Sequence, residues 1–336
     1  MTPGFSFAVT AVLLFAAASA FSSLLVAAVR GSLLRRVRSA ARRADLAWLL
    51  GVLPAAVALV LVLCTAAPSL PALAGPDGDH CLDHGGHGHF CPTHAPTPPV
   101  AVSIVAVALV AWTVIRAMRL VVGERRGSRR VERLSLLGRS EHSRGVEELW
   151  VAGSPRLCHA VGWWRPRVLV SESLRRFVGD GELGAALAHE HAHLRRRDPL
   201  AILILRGVGV LQPPAFSLGA ERCFREEAEM AADAAAAHEV GDGLLVASAL
   251  IAISRVSMPV AGLAMARDAV ERRVYALLDA PKGEVRRALA LPTAALSVVA
   301  LGFALNVGVG ETHHLLGLHQ GIESLLEVAM DVFGHP

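Results

Sequence analysis

Four stretches of the chain stay apolar for about the thickness of a bilayer. They are residues 5–29, 46–67, 100–122 and 288–309. Each reaches the roughly 20 residues a helix needs to cross the hydrocarbon core. The first contains Ala18-Ser19-Ala20, a cleavage-like site of the kind signal peptides carry, but no Lys or Arg precedes it, which argues for a retained helix. A fifth apolar run, residues 200–211, is too short to span and holds Arg206, so it reads as a core helix or a membrane-skimming segment. Elsewhere the pattern changes. Leu149-Trp150-Val151 and Arg167-Val168-Leu169-Val170-Ser171 read as strands beside the turn sequences Gly153-Ser154-Pro155 and Trp164-Arg165-Pro166. The rest of that block has helical periodicity. The pattern predicts a mostly α integral membrane protein: four transmembrane helices, with an α+β domain between the third and fourth.

Composition agrees. Hydrophobic residues make up 53% of the 336 and charged residues only 18%, which is too apolar for an ordinary soluble enzyme. Charge then orients the spans. Segment 30–43 carries Arg30, Arg35, Arg36, Arg38, Arg42 and Arg43, and Arg125, Arg126, Arg129, Arg130 and Arg133 follow the third span, whereas residues 68–99 have no Lys or Arg. By the positive-inside rule the N-terminus, residues 68–99 and the tail from 310 lie outside, and block 123–287 lies in the cytoplasm. The organisation expected is therefore 1–122 for the three-helix region with its outer loop 68–99, 123–287 for the cytoplasmic domain, 288–309 for the fourth span and 310–336 for an outer tail. A pI near 9.1 is then a topology signal, and no direct nucleic-acid binding is expected, because the arginines hug the membrane ends. Only Arg116 and Arg119 fall inside a span, near its inner end, which argues against a transport path.

Candidate chemistry sits in the cytoplasmic block. His189-Glu190-His191-Ala192-His193 reads H-E-x-x-H. On a helix His189 and His193 share one face and can grip one Zn²⁺, with Glu190 reaching the water the ion binds. Asp180 is a plausible N-cap, Glu182 sits in the first turn, and Leu183, Ala186, Leu187 and Leu194 form an apolar stripe. Arg195, Arg196 and Arg197 close the helix and Pro199 stops it. A third ligand should come from a later helix. Glu229 and Asp233 lie four apart in an Ala-rich helical run. Glu229 is the candidate third ligand, and Asp233 the carboxylate that would orient a ligating His through its other N–H. His191 points about 100° away and reads as a second-shell or surface residue. Glu190 would act as general base and then return the proton to the leaving amine. His238 and Arg225 are candidate oxyanion donors that spacing alone does not separate. An edge strand of the domain could bind substrate by strand addition.

The segments GWWRPRVLVSESL, LGAALAHEHAHLRRRDPL and REEAEMAADAAA resemble the BlaR/MecR family of membrane metallopeptidases. In that family a cytoplasmic zinc-peptidase domain lies between the third and fourth transmembrane helices. The resemblance implies metal ligands at His189, His193 and Glu229, a catalytic Glu190, and a bacterial inner-membrane enzyme that cleaves a cytoplasmic winged-helix repressor in response to a signal. The Ste24/HtpX peptidases share both motifs, so a quality-control protease is the alternative within enzymes. A non-proteolytic metal-binding or transport protein is the alternative outside them. After the fourth predicted span only residues 310–336 follow, without an S-x-x-K motif, so β-lactam sensing is not expected.

The outer loop is rich in metal-binding side chains. His80, Cys81, His84, His87, His89, Cys91 and His94 fall close together, and the tail adds His313, His314, His319 and His335. Imidazole and thiolate suit Zn, Cu or Ni, which makes an additional divalent metal site one reading. A flexible polar loop, or a Cys81–Cys91 disulfide in an oxidising compartment, is the other. Cys64, Cys158 and Cys223 read as structural.

Overall fold

The computed structural model describes residues 2–66, 97–143, 145–152, 157–257 and 263–278. The predicted fourth span at 288–309, the tail at 310–336 and the His/Cys cluster at 80–94 lie outside the described residues. Among the described residues, three helices are long and apolar enough to cross a membrane: α1 (Pro3–Arg35), α2 (Ala40–Ala66) and α3 (Val100–Ser135). They coincide with the first three predicted spans. α1 packs along α2, where Ser22 Oγ donates to the carbonyl of Pro54 at 3.3 Å. Phe21, Leu24, Ile104, Val107 and Met118 face outward, as side chains in contact with lipid would. α3 does not stop at the apolar boundary. It continues to Ser135 as a charged helix, because Glu and Arg favour helix and no proline interrupts 123–135, so the run absorbs Gly123 and Gly127.

A four-stranded sheet follows, in the order β1-β2-β4-β3. β1 (Gly138–Ser143) and β2 (Val146–Val151) form a hairpin. β4 (Arg167–Ser171) runs parallel to β2, and β3 (Cys158–Val161) lies antiparallel to β4 at the edge. β2 and β4 are the two strands the pattern predicts. Trp150, Val168 and Val170 pack on Leu174, Leu183 and Leu194, which seats the sheet on the helix that follows. The Arg175 guanidinium lies 4.0 Å from the Trp150 ring centroid and covers it.

Five helices complete the described chain: α4 (Asp180–Arg196), α5 (Asp198–Gly209), α6 (Pro214–Val240), α7 (Gly243–Ser257) and α8 (Leu263–Leu278). Two details of α4 differ from expectation. Its N-cap is Gly179, not Asp180, and Glu182 Oε2 reaches back 3.1 Å to the Gly179 N–H. The carboxylate at the third helical position thus does the capping, and Asp180 lies within the first turn. Nor does Pro199 merely stop α4. Arg197 turns left-handed at φ 57°, and Asp198-Pro199 open α5, where the fixed φ of proline suits a first turn.

The β3–β4 connection depends on Gly162, whose φ is 84° and where a Cβ would stand 2.5 Å from the Arg165 carbonyl oxygen. Gly162→Ala is therefore expected to destabilise the domain by about 1–3 kcal/mol. A lowered unfolding midpoint in detergent or nanodiscs checks this, and an unchanged midpoint contradicts it.

Candidate metal centre

α4 and α6 carry the site. His189 and His193 lie one turn apart on the buried face of α4, and Glu229 faces them from α6. The two Nε2 atoms are 3.1 Å apart. Glu229 Oε2 is 3.4 Å from His189 Nε2, and Oε1 is 3.6 Å from His193 Nε2. Ligands about 2.1 Å from a tetrahedral ion stand ~3.4 Å from one another. The three donors therefore have the separations a bound divalent ion requires, and they form the metal-compatible group found among the described residues.

Each imidazole is backed by a carboxylate. Asp233 Oδ1 lies 2.9 Å from His189 Nδ1, and Asp198 Oδ2 lies 2.8 Å from His193 Nδ1. A carboxylate at Nδ1 holds the proton there and leaves Nε2 free as a ligand. Glu190 is on the same helix, and its Oε2 accepts the backbone N–H of Ala160 on edge strand β3 at 2.6 Å. A cavity of about 380 Å³ opens over these groups, bounded by Cys158, His159 and Ala160 on one side and by α7 and α8 on the other.

A family model for BlaR1 peptidase M56 matches residues 10–277. The chain belongs to that family. No curated protein and no solved structure matches it. Membership makes the chain a metallopeptidase, and its three apolar helices fit a membrane protein.

Within this family member, other candidates separate by position. Arg225 lines the cavity, although its guanidinium is also bound to Glu221 at 2.8 Å, whereas His238 is exposed near the far end of α6. Glu226 and Glu227 turn away from the histidines. Glu227 pairs with Arg43 at 2.7 Å and Glu226 with Arg222 at 3.1 Å. His191 is not a surface residue. It is buried, with Nε2 3.2 Å from the equally buried Glu148 of β2, and so ties α4 to the sheet.

Two partners of the site had no signature in the sequence. Asp198 lies past the break in α4, where it reads only as part of a helix end. Arg273 comes from α8. Its Nε and Nη2 hold Asp233 at 2.6 and 2.7 Å, and Nη1 lies 2.9 Å from Glu229 Oε2. Burial works against charge on His189, yet Asp233, Glu229 and Glu190 outweigh it and raise its pKa to about 10. Burial would raise Glu229, but His189, Arg273 and His193 hold its carboxyl far below the usual range. Asp233 is likewise held low, against its burial, by Arg273 and His189.

These contacts predict graded losses of metal. His189→Ala, His193→Ala and Glu229→Ala should abolish tight binding. Asp198→Asn and Arg273→Ala should weaken it by about 10–100-fold. Metal content and chelator competition on purified variants measure both, and full metal retention by Glu229→Ala would overturn the third-ligand assignment.

The pKa of about 10 adds a pH signature. A metal needs the neutral ring, so it must displace the proton on His189. Affinity should therefore rise roughly tenfold per pH unit from neutrality toward that pKa, with about one proton released per ion near pH 7.5. Titration calorimetry of chelated protein, in buffers of different ionisation enthalpy, reads that proton directly. No buffer dependence would mean that His189 is already neutral.

Proposed function

We propose that the chain is a membrane-bound zinc endopeptidase whose site faces the cytoplasm and which cleaves a transcriptional repressor when a signal arrives. The observation carrying the enzymatic part is the convergence of His189, His193 and Glu229 beside Glu190 in one cleft. Two imidazoles and one carboxylate are a donor set zinc favours in peptidases, with a coordination position left over. Such an ion, when bound, supplies Lewis acidity and a water of lowered pKa. Glu190 would hold and move the proton, taking it from the attacking water and delivering it to the leaving amine. Arg225, on the wall of the cleft, is the nearer candidate for stabilising the developing oxyanion; His238 is not in the cleft lining.

Substrate would enter as an extended strand along β3. That strand has no partner on its outer side among the described residues, and the cleft runs beside it. The incoming carbonyl would take over the Ala160 N–H that Glu190 now accepts. Strand pairing would thus release the base as it seats the scissile bond. The repressor substrate rests on the family resemblance and on topology. The arginine asymmetry supports an inner location for this block and an outer one for His80, Cys81, His84, His87, His89, Cys91 and His94, the proposed receiver of a metal signal.

Glu190→Ala should retain the metal and lose proteolysis. Ala160→Pro removes the pairing N–H and should lower kcat/KM by about tenfold with metal content unchanged. The wider role is tested by transcriptomes of wild type and Glu190→Ala, with and without added divalent metal. Target genes locked in one state in the variant support repressor cleavage. Identical profiles with build-up of misfolded membrane proteins would favour the quality-control reading.

A further inference from the structure

α5 and α6 form a helical hairpin whose tip, residues 210–213, meets all three long apolar helices. Ser19 Oγ of α1 donates to the Leu211 carbonyl at 3.4 Å. Gln212 Nε2 donates to the Gly51 carbonyl of α2 at 2.9 Å. Arg116 of α3 gives Nη1 to the carbonyls of Val210 and Gln212 at 3.0 and 2.7 Å, and Nη2 to the Gly209 carbonyl at 2.7 Å and Ser217 Oγ at 3.2 Å. The carbonyls of Val210 and Gln212 lie past the last residue of α5 and have no continuing helix to bond to, while that of Gly209 also accepts the Gln212 N–H at 3.2 Å.

The depth of these contacts is unusual for an enzyme domain. Counting along each span from its inner apolar end at ~1.5 Å per residue, Gly51, Arg116 and Ser19 lie about 8–15 Å inside the boundary. Irregular backbone at such depth survives only where protein satisfies its polar groups. An intramembrane arginine, in turn, faces the protein interior and pairs with carbonyls. Arg116 meets both conditions at once.

The apolar contacts agree. Phe216 and Ala220 of α6 pack on Val26 and Leu50 of the spans. A Cβ on Gly51 would come within 2.6 Å of Leu205, so α2 and α5 touch across a glycine. Residues 207–220 carry no charged side chain, yet Leu211 and Leu218 are 48% and 69% exposed.

We propose that the α5–α6 tip is inserted into the bilayer, with Leu211 and Leu218 against acyl chains and Arg116 sealing the backbone from within. The consequence concerns the metal centre, though the insertion itself does not depend on peptide cleavage. α5 begins at Asp198, behind His193, and α6 carries Glu229 and Asp233. Any shift of the spans therefore acts on the hairpin that holds the site's carboxylates.

Leu218→Cys in the full chain, reconstituted in lipid nanodiscs open on both faces, tests the insertion. A water-soluble, membrane-impermeant maleimide is applied and modification is read site by site by mass spectrometry. Leu24→Cys in α1 (71% exposed) is the lipid-facing reference and Leu137→Cys beyond α3 (75% exposed) the water-facing one. The expected rate for Leu218→Cys is within about threefold of Leu24→Cys and at least ~10-fold below Leu137→Cys. A rate equal to that of Leu137→Cys overturns the proposal. Metal content verifies that each variant is folded, and Leu211→Cys repeats the test where Leu218→Cys fails that check.

Discussion

α4 and α6 meet over alanines, and the candidate metal centre depends on that meeting. Ala185, Ala188 and Ala192 of α4 are buried close to Ala232, Ala235 and Ala236 of α6. Helices whose contact residues are this small approach to the short end of the usual 8–10 Å spacing. At that spacing the imidazoles of one helix and the Glu229 carboxylate of the other stand 3.4–3.6 Å apart. Larger side chains at the crossing would separate the helices by an ångström or more and spread the donors beyond what one ion can bridge. The sheet then braces α4 from the other side, through Leu183 and Leu194 and through the buried Glu148–His191 pair.

That crossing gathers more negative charge than a low-dielectric site can hold alone. Glu190, Glu229, Asp233 and Asp198 converge, against the nearby cations Arg273 and Arg196 and the cleft-wall Arg225, which is itself paired with Glu221. Asp233, Glu229 and Glu190 are why a ring as deeply buried as His189's still favours a proton, with a pKa of about 10. A divalent cation between Nε2 and Glu229 would answer the same imbalance more fully. Carboxylates that orient the histidines thus also set the local potential that a cation finds attractive. Arg273 keeps the arrangement from flying apart, because its planar fork holds Asp233 through two bonds while its third nitrogen steadies Glu229.

What could be read in the sequence was what is local. Runs of apolar residues revealed three helices long and apolar enough to span a membrane, and i, i+4 spacing put His189 with His193 and Glu229 with Asp233, because a helix converts spacing into a face. Glu190 followed from the same motif. What depends on chain breaks or distant contacts stayed hidden. Asp198 reaches His193 only because Arg197 turns left-handed, a conformation no composition rule demands of arginine. Arg273 acts across 40 residues of chain, beyond any periodic pattern. β1 reads Gly-Arg-Ser-Glu-His-Ser and β3 is four residues long, so neither shows the alternation that reveals a strand. Both are held by pairing to β2 and β4, which do.

The left-handed Arg197 connects the two halves of the molecule. A non-glycine residue in that conformation costs about 1–2 kcal/mol, so the packing around it must favour the break. The break returns the chain so that Asp198 lies against His193 and, at 3.4 Å, against Arg196 Nε. Arg196 also reaches Asp45 at the start of α2, again at 3.4 Å. A polar path thus runs from the Asp45 end of α2, through Arg196 and Asp198, to the imidazole of a candidate metal donor. The Trp48 indole N–H, donated to the Ala201 carbonyl at 3.0 Å, fixes the same α2–α5 junction one turn further on. Had α4 simply continued, Asp198 would have followed the helix around and away from His193, and α5 could not have turned toward the apolar helices. The single backbone reversal therefore serves the candidate site and the packing of α5 on the apolar helices together, which accounts for a strained residue at a point where an uninterrupted helix would have been locally cheaper.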